Sequence, residues 1–429
     1  MHKKKVNIIT LGCSKNLYDS EILSAQLKDS LYIPVHNSEE DADIVIINTC
    51  GFIHDAKQES IDTILHYVQA KEEGKIEKLL VTGCLSERYK EELPHEIPEV
   101  DAYFGNHHLK EIMDYLRVDL KKELLGERLL ATPSHYAYLK ISEGCDRSCS
   151  FCAIPKIRGK HISQPMEKLV EEARNLAAKG VKELILIAQD LTYYGLDIYG
   201  KRKLAELLRR LTDVNGIEWI RLHYMYPAGF PEDVLDIMAE EPKICRYLDM
   251  PLQHADRGIL ASMNRGVSPE KTETLLNRIR QKIPGVALRT TFITGYPGET
   301  EEAFKRLKDF IRRMEFDRVG IFTYSHEEDT KAYVLPDNVP EKVKQERKKE
   351  LMELQAEISL RKNRQKTGKT MRILIDRKHG NEYIGRTEFD SPEVDNEVHI
   401  VTDKILTPGK FIYVKITDAD TYDLWGIPV

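Results

Sequence analysis

No stretch of the 429-residue chain approaches the ~20 consecutive apolar residues needed to cross a bilayer, which excludes a membrane-spanning helix. The opening Met-His-Lys-Lys-Lys is basic, but Val6–Leu11 is too short for the apolar core of a signal peptide, so a cytoplasmic location is expected. Excess positive charge is missing too. Sixty-four Lys and Arg against 70 Asp and Glu leave a net charge of -6, which excludes a chain built as a whole for nonspecific nucleic-acid binding. Cysteine is scarce: seven residues, an odd number, argue against a disulfide framework. Six of the seven lie beside glycines or in one tight loop, which points to metal ligands in a reducing compartment. The apolar content of 41% suffices for packed cores, and the length suggests about three domains.

The loop is Glu143-Gly-Cys-Asp-Arg-Ser-Cys-Ser-Phe-Cys152, with Cys145, Cys149 and Cys152 spaced Cys-x3-Cys-x2-Cys. A turn this tight can aim three thiolates at one point. A structural zinc would need a fourth ligand, and the next cysteine, Cys245, is far along the chain, so a histidine or acid would have to serve. A 4Fe-4S cluster held by three thiolates keeps one iron open for a small molecule. Tyr136–Ser142 reads as a strand entering the loop, and Ala153–Gly159 leaves it. The spacing and flanks resemble the radical S-adenosylmethionine superfamily, in which the open iron chelates the methionyl amine and carboxylate.

Upstream, three apolar strands each run into a cysteine: Val6–Gly12 into Cys13, Asp43–Thr49 into Cys50, and Lys78–Gly83 into Cys84. Helical patterns at Tyr18–Asp29 and Asp55–Glu73 lie between them, an alternation that predicts a mostly parallel sheet. Ligands of such sheets gather beyond the carboxyl ends of the strands, so the three cysteines fall on one edge. Any one of them alone would read as a small buried hydrophobe. Three at equivalent strand ends read as ligands of a second 4Fe-4S cluster.

From 131 to 367 the alternation repeats. Strands are expected at Tyr136–Ser142, Glu183–Gln189, Glu218–Tyr224, Arg246–Met250, Ala287–Thr294 and Arg318–Tyr324, with helices between them, giving an open barrel of six βα units. Catalytic groups of such barrels sit at the carboxyl ends of the strands. Gln189 and Asp190 follow the second strand, where Asp190 reads equally as a helix cap. Gly295-Tyr-Pro-Gly298-Glu299 follows the fifth, where the glycines permit close backbone approach to a ligand; the alternative reading is a turn ending in Glu299 at a helix start. His254 is given no catalytic role, and Cys245 reads as core. Residues Glu341–Lys366 form a long helical pattern with nine Lys/Arg and five Glu, read as a largely solvated face.

Short strands at Thr370–Asp376, Tyr383–Thr387, Glu397–Val401 and Phe411–Thr417, punctuated by Gly, Pro and Asp, predict a small β-barrel. From Asp376 onward eleven Asp/Glu face six Lys/Arg, an acidic excess that suits a basic protein partner better than RNA. Trp425 is either an interface anchor or barrel core.

Gly12-Cys-Ser-Lys-Asn16, Asn48-Thr-Cys-Gly-Phe-Ile53 and Thr82-Gly-Cys84, together with the loop, resemble the methylthiotransferases over essentially the whole chain. That resemblance implies a parallel α/β domain (1–130), an open (βα)6 radical core (131–367) and a TRAM barrel (368–429). It implies two 4Fe-4S clusters, one on Cys13, Cys50 and Cys84 and one on Cys145, Cys149 and Cys152, with S-adenosylmethionine as both radical source and methyl donor. It places Phe151, Gln189, Gly295, Gly298 and Glu299 around the S-adenosylmethionine pocket, although the superfamily's second glycine motif has no clean counterpart after the fifth strand. The ending Thr417–Gly426 leans toward the protein-modifying branch. Its implied substrate is the β-carbon of an aspartate in small-subunit ribosomal protein twelve. Flavodoxin or ferredoxin is the implied electron donor, and methylthiolation of tRNA adenosine is the alternative.

Overall fold

The computed structural model describes residues 3–28, 30–38, 40–121 and 127–429. The chain divides into two compact units: Met1–Thr132 with Glu143–Arg147 and Cys152–Ile162, and Pro133–Ser142 with Ser148–Phe151 and Ser163–Val429.

The first unit is built on five parallel strands, β1 (Lys4–Thr10), β2 (Tyr32–His36), β3 (Ile44–Thr49), β4 (Lys78–Gly83) and β5 (Ala102–Tyr103). They lie in the order β2-β1-β3-β4-β5. The central strand β3 is buried along its whole length, as expected of a parallel strand covered on both faces. Its alternate residues serve two cores. Ile44 and Ile46 pack with Val6, Ile8, Leu23, Leu27 and Met113; Val45 and Ile47 pack with Ile64, Val68, Leu79 and Val81. Helices Ser14–Lys28 and His54–Glu72 supply the covering residues. The expected helix end at Asp29 lies outside the described residues. Strand β2 was not expected. Pro34 sits in its middle, which an edge strand tolerates because one side of its ladder is unpaired.

The second unit holds six parallel strands, β6 (Tyr136–Lys140), β7 (Glu183–Ile187), β8 (Trp219–Leu222), β9 (Ile244–Asp249), β10 (Ala287–Thr294) and β11 (Arg318–Thr323). Their spatial order follows the chain, so the sheet winds in one direction, as the six-unit reading requires. Its helices begin on strong signals. The Ser268 side chain caps Pro269–Lys282 by accepting from the Lys271 N–H, and Thr300 caps Glu301–Met314 by accepting from Ala303. Cys245 is core, packed with Trp219, Tyr247 and Ala287.

A closed five-strand barrel follows: β12 (Thr370–His379), β13 (Glu382–Arg386), β14 (Val398–Val401), β15 (Phe411–Ala419) and β16 (Leu424–Pro428). Strand β16 was absent from the sequence expectation, because Gly426 and Pro428 obscure a strand that closes the barrel between β14 and β15. The loop from Thr387 to Asn396 reaches into the six-stranded sheet. Tyr136 donates to Glu393 at 2.9 Å, Arg221 to the Glu388 carbonyl at 2.7 Å, and Tyr247 to Asp395 at 2.8 Å. Arg318 pairs with Asp390, and Arg386 joins Glu183 at 2.8 Å and Asp376 at 2.7 Å. This trims the charge argument made from the tail without reversing its sign. Asp376, Asp390 and Asp395 are neutralised inside the unit by arginines and are not offered to a partner.

Candidate functional site

The order β2-β1-β3 reverses direction between β1 and β3, and a crevice beyond the carboxyl ends of strands opens at such a switch point. Cys13, Cys50 and Cys84 follow the neighbouring strands β1, β3 and β4 there. Three glycines let the strand ends crowd together. A Cβ on Gly12, whose φ is +86°, would stand 2.7 Å from Cys50 Cβ and 2.8 Å from its sulfur. One on Gly51 would meet the Leu85 backbone at 2.7 Å, and one on Gly83 the Asn48 side chain at 2.5 Å. Ser60 clamps the Cys50 backbone, accepting from its N–H at 3.0 Å and donating to its carbonyl at 2.9 Å. Asn16 donates to the Leu11 carbonyl at 2.8 Å and the Thr49 carbonyl at 2.9 Å, tying the first two strand ends together.

The three thiols feel one another electrostatically. Burial pushes the Cys50 thiol up to about 12 and raises that of Cys84, while the Arg158 guanidinium pulls both down. Thiols this buried gain from a metal that deprotonates them outright. Ser60 and Arg158 were given no role from sequence, and Asn16 entered only as the end of the Gly12–Asn16 motif. Arg158 carried a signal as a charged residue in the short segment leaving the cysteine loop.

The loop divides between the units. In the first, the Cys145 N–H donates to the Gly159 carbonyl at 3.1 Å, and the Arg147 N–H points at the Cys145 sulfur at 3.4 Å. In the second, Arg265 Nη1 donates to the Cys149 sulfur at 3.2 Å, and the Tyr226 hydroxyl lies 3.6 Å from the same sulfur. The Arg265 guanidinium also stacks 4.1 Å over the Tyr226 ring. Ser150 is bonded to Ser262 O at 2.8 Å and to the Tyr296 hydroxyl at 2.9 Å. Phe151 packs on the core formed by Ile259, Met263, Tyr296 and Tyr324.

Gln189 follows β7, and Asp190 caps the next turn, accepting from the Thr192 N–H at 2.8 Å and hydroxyl at 2.6 Å. Beyond β10, Glu299 is buried and held by His254 at 3.0 Å, by Arg347 at 2.8 Å and by the Gly295 N–H. Gly295 has φ +75° and rests against the Lys344 side chain, while the Gly298 N–H donates to Asn338 at 3.0 Å. Lys344 and Arg347 belong to the charged helix Glu341–Arg364, which buries Leu351, Leu354 and Ile358 and braces the site with its cations. It is more than a solvated face. Two further residues escaped the sequence reading. Tyr224 (φ +60°) and Gln253 (φ +74°) occupy left-handed backbone past β8 and β9, and the Gln253 side-chain oxygen is buried without a hydrogen-bond partner. Such strain clusters at ligand sites, and no residue type announces it in sequence.

The donor set fits iron–sulfur chemistry. All seven cysteines are free thiols, and the loop sulfurs of Cys145 and Cys149 already accept N–H bonds of the kind that tune clusters. Among the described residues no three His, Cys, Asp or Glu side chains converge on a single-ion site.

Comparison with known proteins accords with this geometry. Residues 5–105 match uncharacterized protein family UPF0004, residues 139–311 the radical SAM superfamily, and residues 367–429 the TRAM domain. Among solved structures, the radical S-adenosylmethionine methyltransferase TsrM from Kitasatospora setae, with cobalamin and a 4Fe-4S cluster bound, aligns at TM-score 0.52 and 14% identity over 75% of each chain. The cobalamin-dependent radical enzyme OxsB aligns at TM-score 0.51 and 13% identity over 77% of this chain and 54% of its own. Both establish the fold alone. Fold and cysteine loop together define a radical S-adenosylmethionine enzyme with an added N-terminal sheet domain and a C-terminal TRAM barrel.

Curated relatives narrow the class. The ribosomal protein uS12 methylthiotransferase RimO of Flavobacterium psychrophilum is 59% identical over 100% of this chain and 99% of its own. That of Christiangramia forsetii is 58% identical over 100% and 95%, and that of Bacteroides thetaiotaomicron 52% over 99% and 98%. The chain belongs to the RimO family of ribosomal protein uS12 methylthiotransferases.

Proposed function

We propose that this chain places a methylthio group on the β-carbon of an aspartate of ribosomal protein uS12. Full-length similarity to uS12 methylthiotransferases, in a chain holding both cysteine sets at the carboxyl ends of parallel strands, carries this reading. Methylthiolation of tRNA adenosine is not favoured, since relatives alike over the whole chain bear the uS12 name. No described helix is long and apolar enough to cross a membrane, in keeping with action on ribosomal protein in the cytoplasm.

The C–H bond to be replaced is unactivated. When bound, S-adenosylmethionine and a 4Fe-4S cluster supply the radical that no side chain can. Cys145, Cys149 and Cys152 are the ligands we assign to that cluster, with Arg265 and Tyr226 supporting the Cys149 sulfur. Cys13, Cys50 and Cys84 would hold a second cluster, on which the sulfur to be transferred is positioned. Phe151, Gln189, Gly295, Gly298 and Glu299 border the S-adenosylmethionine pocket in this reading. Glu299, fully engaged by His254 and Arg347, acts there by fixing the Gly295 backbone. Gln253 joins them through its unpaired oxygen. The functional division is 1–130, 131–367 and 368–429, and a flavodoxin or ferredoxin delivers the electron.

The decisive experiment gives the anaerobically reconstituted enzyme uS12 and tRNA in one reaction and reads both by mass spectrometry. A gain of one methylthio group on the uS12 aspartate is expected. Label on tRNA adenosine with unmodified uS12 would replace this substrate by the other.

A further inference from the structure

Arg158 is 3% exposed and lies in the segment that leaves the cysteine loop, yet it reaches Asn16 and Asp19 at the N-terminal sheet edge as well as Glu143 at the start of the loop. Nη2 donates to Asn16 Oδ1 at 2.5 Å, and the same oxygen lies 3.7 Å from the Cys84 sulfur. Nη1 lies 3.1 Å from Asp19 and 3.0 Å from Glu143 Oε2. The guanidinium interacts electrostatically with Cys13, Cys50 and Cys84. Asp19 acts on Cys84 in the opposite sense. All of these residues belong to the first unit.

A buried cation fixed between two carboxylates adds little to stability, because desolvation offsets the attraction. Its position next to three thiols suggests another use. Hydrogen bonds to cluster sulfurs and nearby charge set a cluster's reduction potential, and outer partners fix its ligands. A guanidinium fork can engage Asn16 on one edge and two carboxylates on the other at once, which a lysine ammonium cannot.

We propose that Arg158 is a positioning residue for the Cys13/Cys50/Cys84 centre: clamped by Glu143 and Asp19, its charge sets the reduction potential of the cluster held there and helps retain its iron. The inference rests on the assignment of that second cluster.

The test uses the full chain with Cys145, Cys149 and Cys152 all replaced by Ala, so that after anaerobic reconstitution only the N-terminal centre can report. Iron and sulfide content is measured, and the midpoint potential is followed by electron paramagnetic resonance. Arg158→Gln removes a positive charge and should move the midpoint to more negative values with partial loss of iron. Asp19→Asn removes a negative charge beside Cys84 and should move it to more positive values with iron retained. Arg158→Lys should keep the iron and shift less than Arg158→Gln. Shifts of opposite sign cannot come from loosened structure alone. If Arg158→Gln fails to fold by circular dichroism, Asp19→Asn and Arg158→Lys carry the decision. Iron-loaded variants with unchanged midpoints, or with both shifts in one direction, overturn the role of Arg158 and leave the second cluster standing. A parent that takes up no iron overturns the second-cluster assignment and this inference with it.

Discussion

Asp390 offers the sharpest test of how the tail barrel is attached. It is fully buried, accepts from Arg318 and Thr387, and neutralises an arginine at the start of β11. Burial works to raise its carboxyl, but Arg318, Lys366 and the Thr387 hydroxyl outweigh it and hold the group below the usual aspartate range. Asp390→Ala leaves Arg318 charged and unpaired in the interior, a loss of about 3–5 kcal/mol. At roughly 2 °C per kcal/mol for a unit of this size, the melting transition should fall by about 6–10 °C. Replacing both partners, Asp390→Leu with Arg318→Met, should recover most of that, since no buried charge is then stranded. The sign of the pH dependence follows from the depressed carboxyl. The pair contributes fully above the unfolded aspartate value of about 3.9, and its contribution fades as pH falls below that value toward the folded one. Asp390→Ala should therefore lose less stability than wild type on acidification through this window. Urea and thermal melts of both variants decide the matter. A single substitution costing under about 1 kcal/mol, or a double one no better than the single, would refute a charge-locked junction.

Cys145→Ala, Cys149→Ala and Cys152→Ala should each abolish 5′-deoxyadenosine formation in an anaerobic cleavage assay; near-wild-type cleavage with a full iron load in any of them would sink the ligand assignment. Replacing Cys13, Cys50 and Cys84 together should leave S-adenosylmethionine cleavage measurable while methylthiolated uS12 disappears, and an unaltered iron content would count against the second centre. Gly12→Ala forces a methyl against Cys50 at a φ of +86°, so iron at the N-terminal centre should drop while 5′-deoxyadenosine formation persists.

Much of this architecture is legible in the chain because parallel strands buried on both faces read as unbroken apolar runs, and helices between them start on Ser, Thr and Pro. The cysteines stood out by spacing and by their glycine neighbours. Two strands did not. Pro34 obscured β2 at the edge of its sheet, and Gly426 obscured β16, whose place is fixed by pairing with β14 as well as with the preceding β15. The residues around the site were hardest to see for a related reason. Gln253 is notable for its backbone angle, Arg158 for where its side chain ends, and the acids of the tail for meeting buried arginines. Counting the charges of the tail overstated the acid it offers a partner. Composition does not tell an exposed carboxylate from one already paired.

The loop from Thr387 to Asn396 has a consequence in time. Arg318 lies on a strand made well before the acid that pairs with it, Asp390, while Arg221 and Arg289, already matched to Glu183 and Asp249 within the sheet, gain further partners in Glu388 and Asp395. During synthesis the six-stranded sheet can assemble as it emerges, since domains form from the N-terminus onward. The Arg318 guanidinium must then stay hydrated until Asp390 is made. A chain halted before that loop leaves this arginine without its acid, so the edge of the sheet settles only once the loop has followed it.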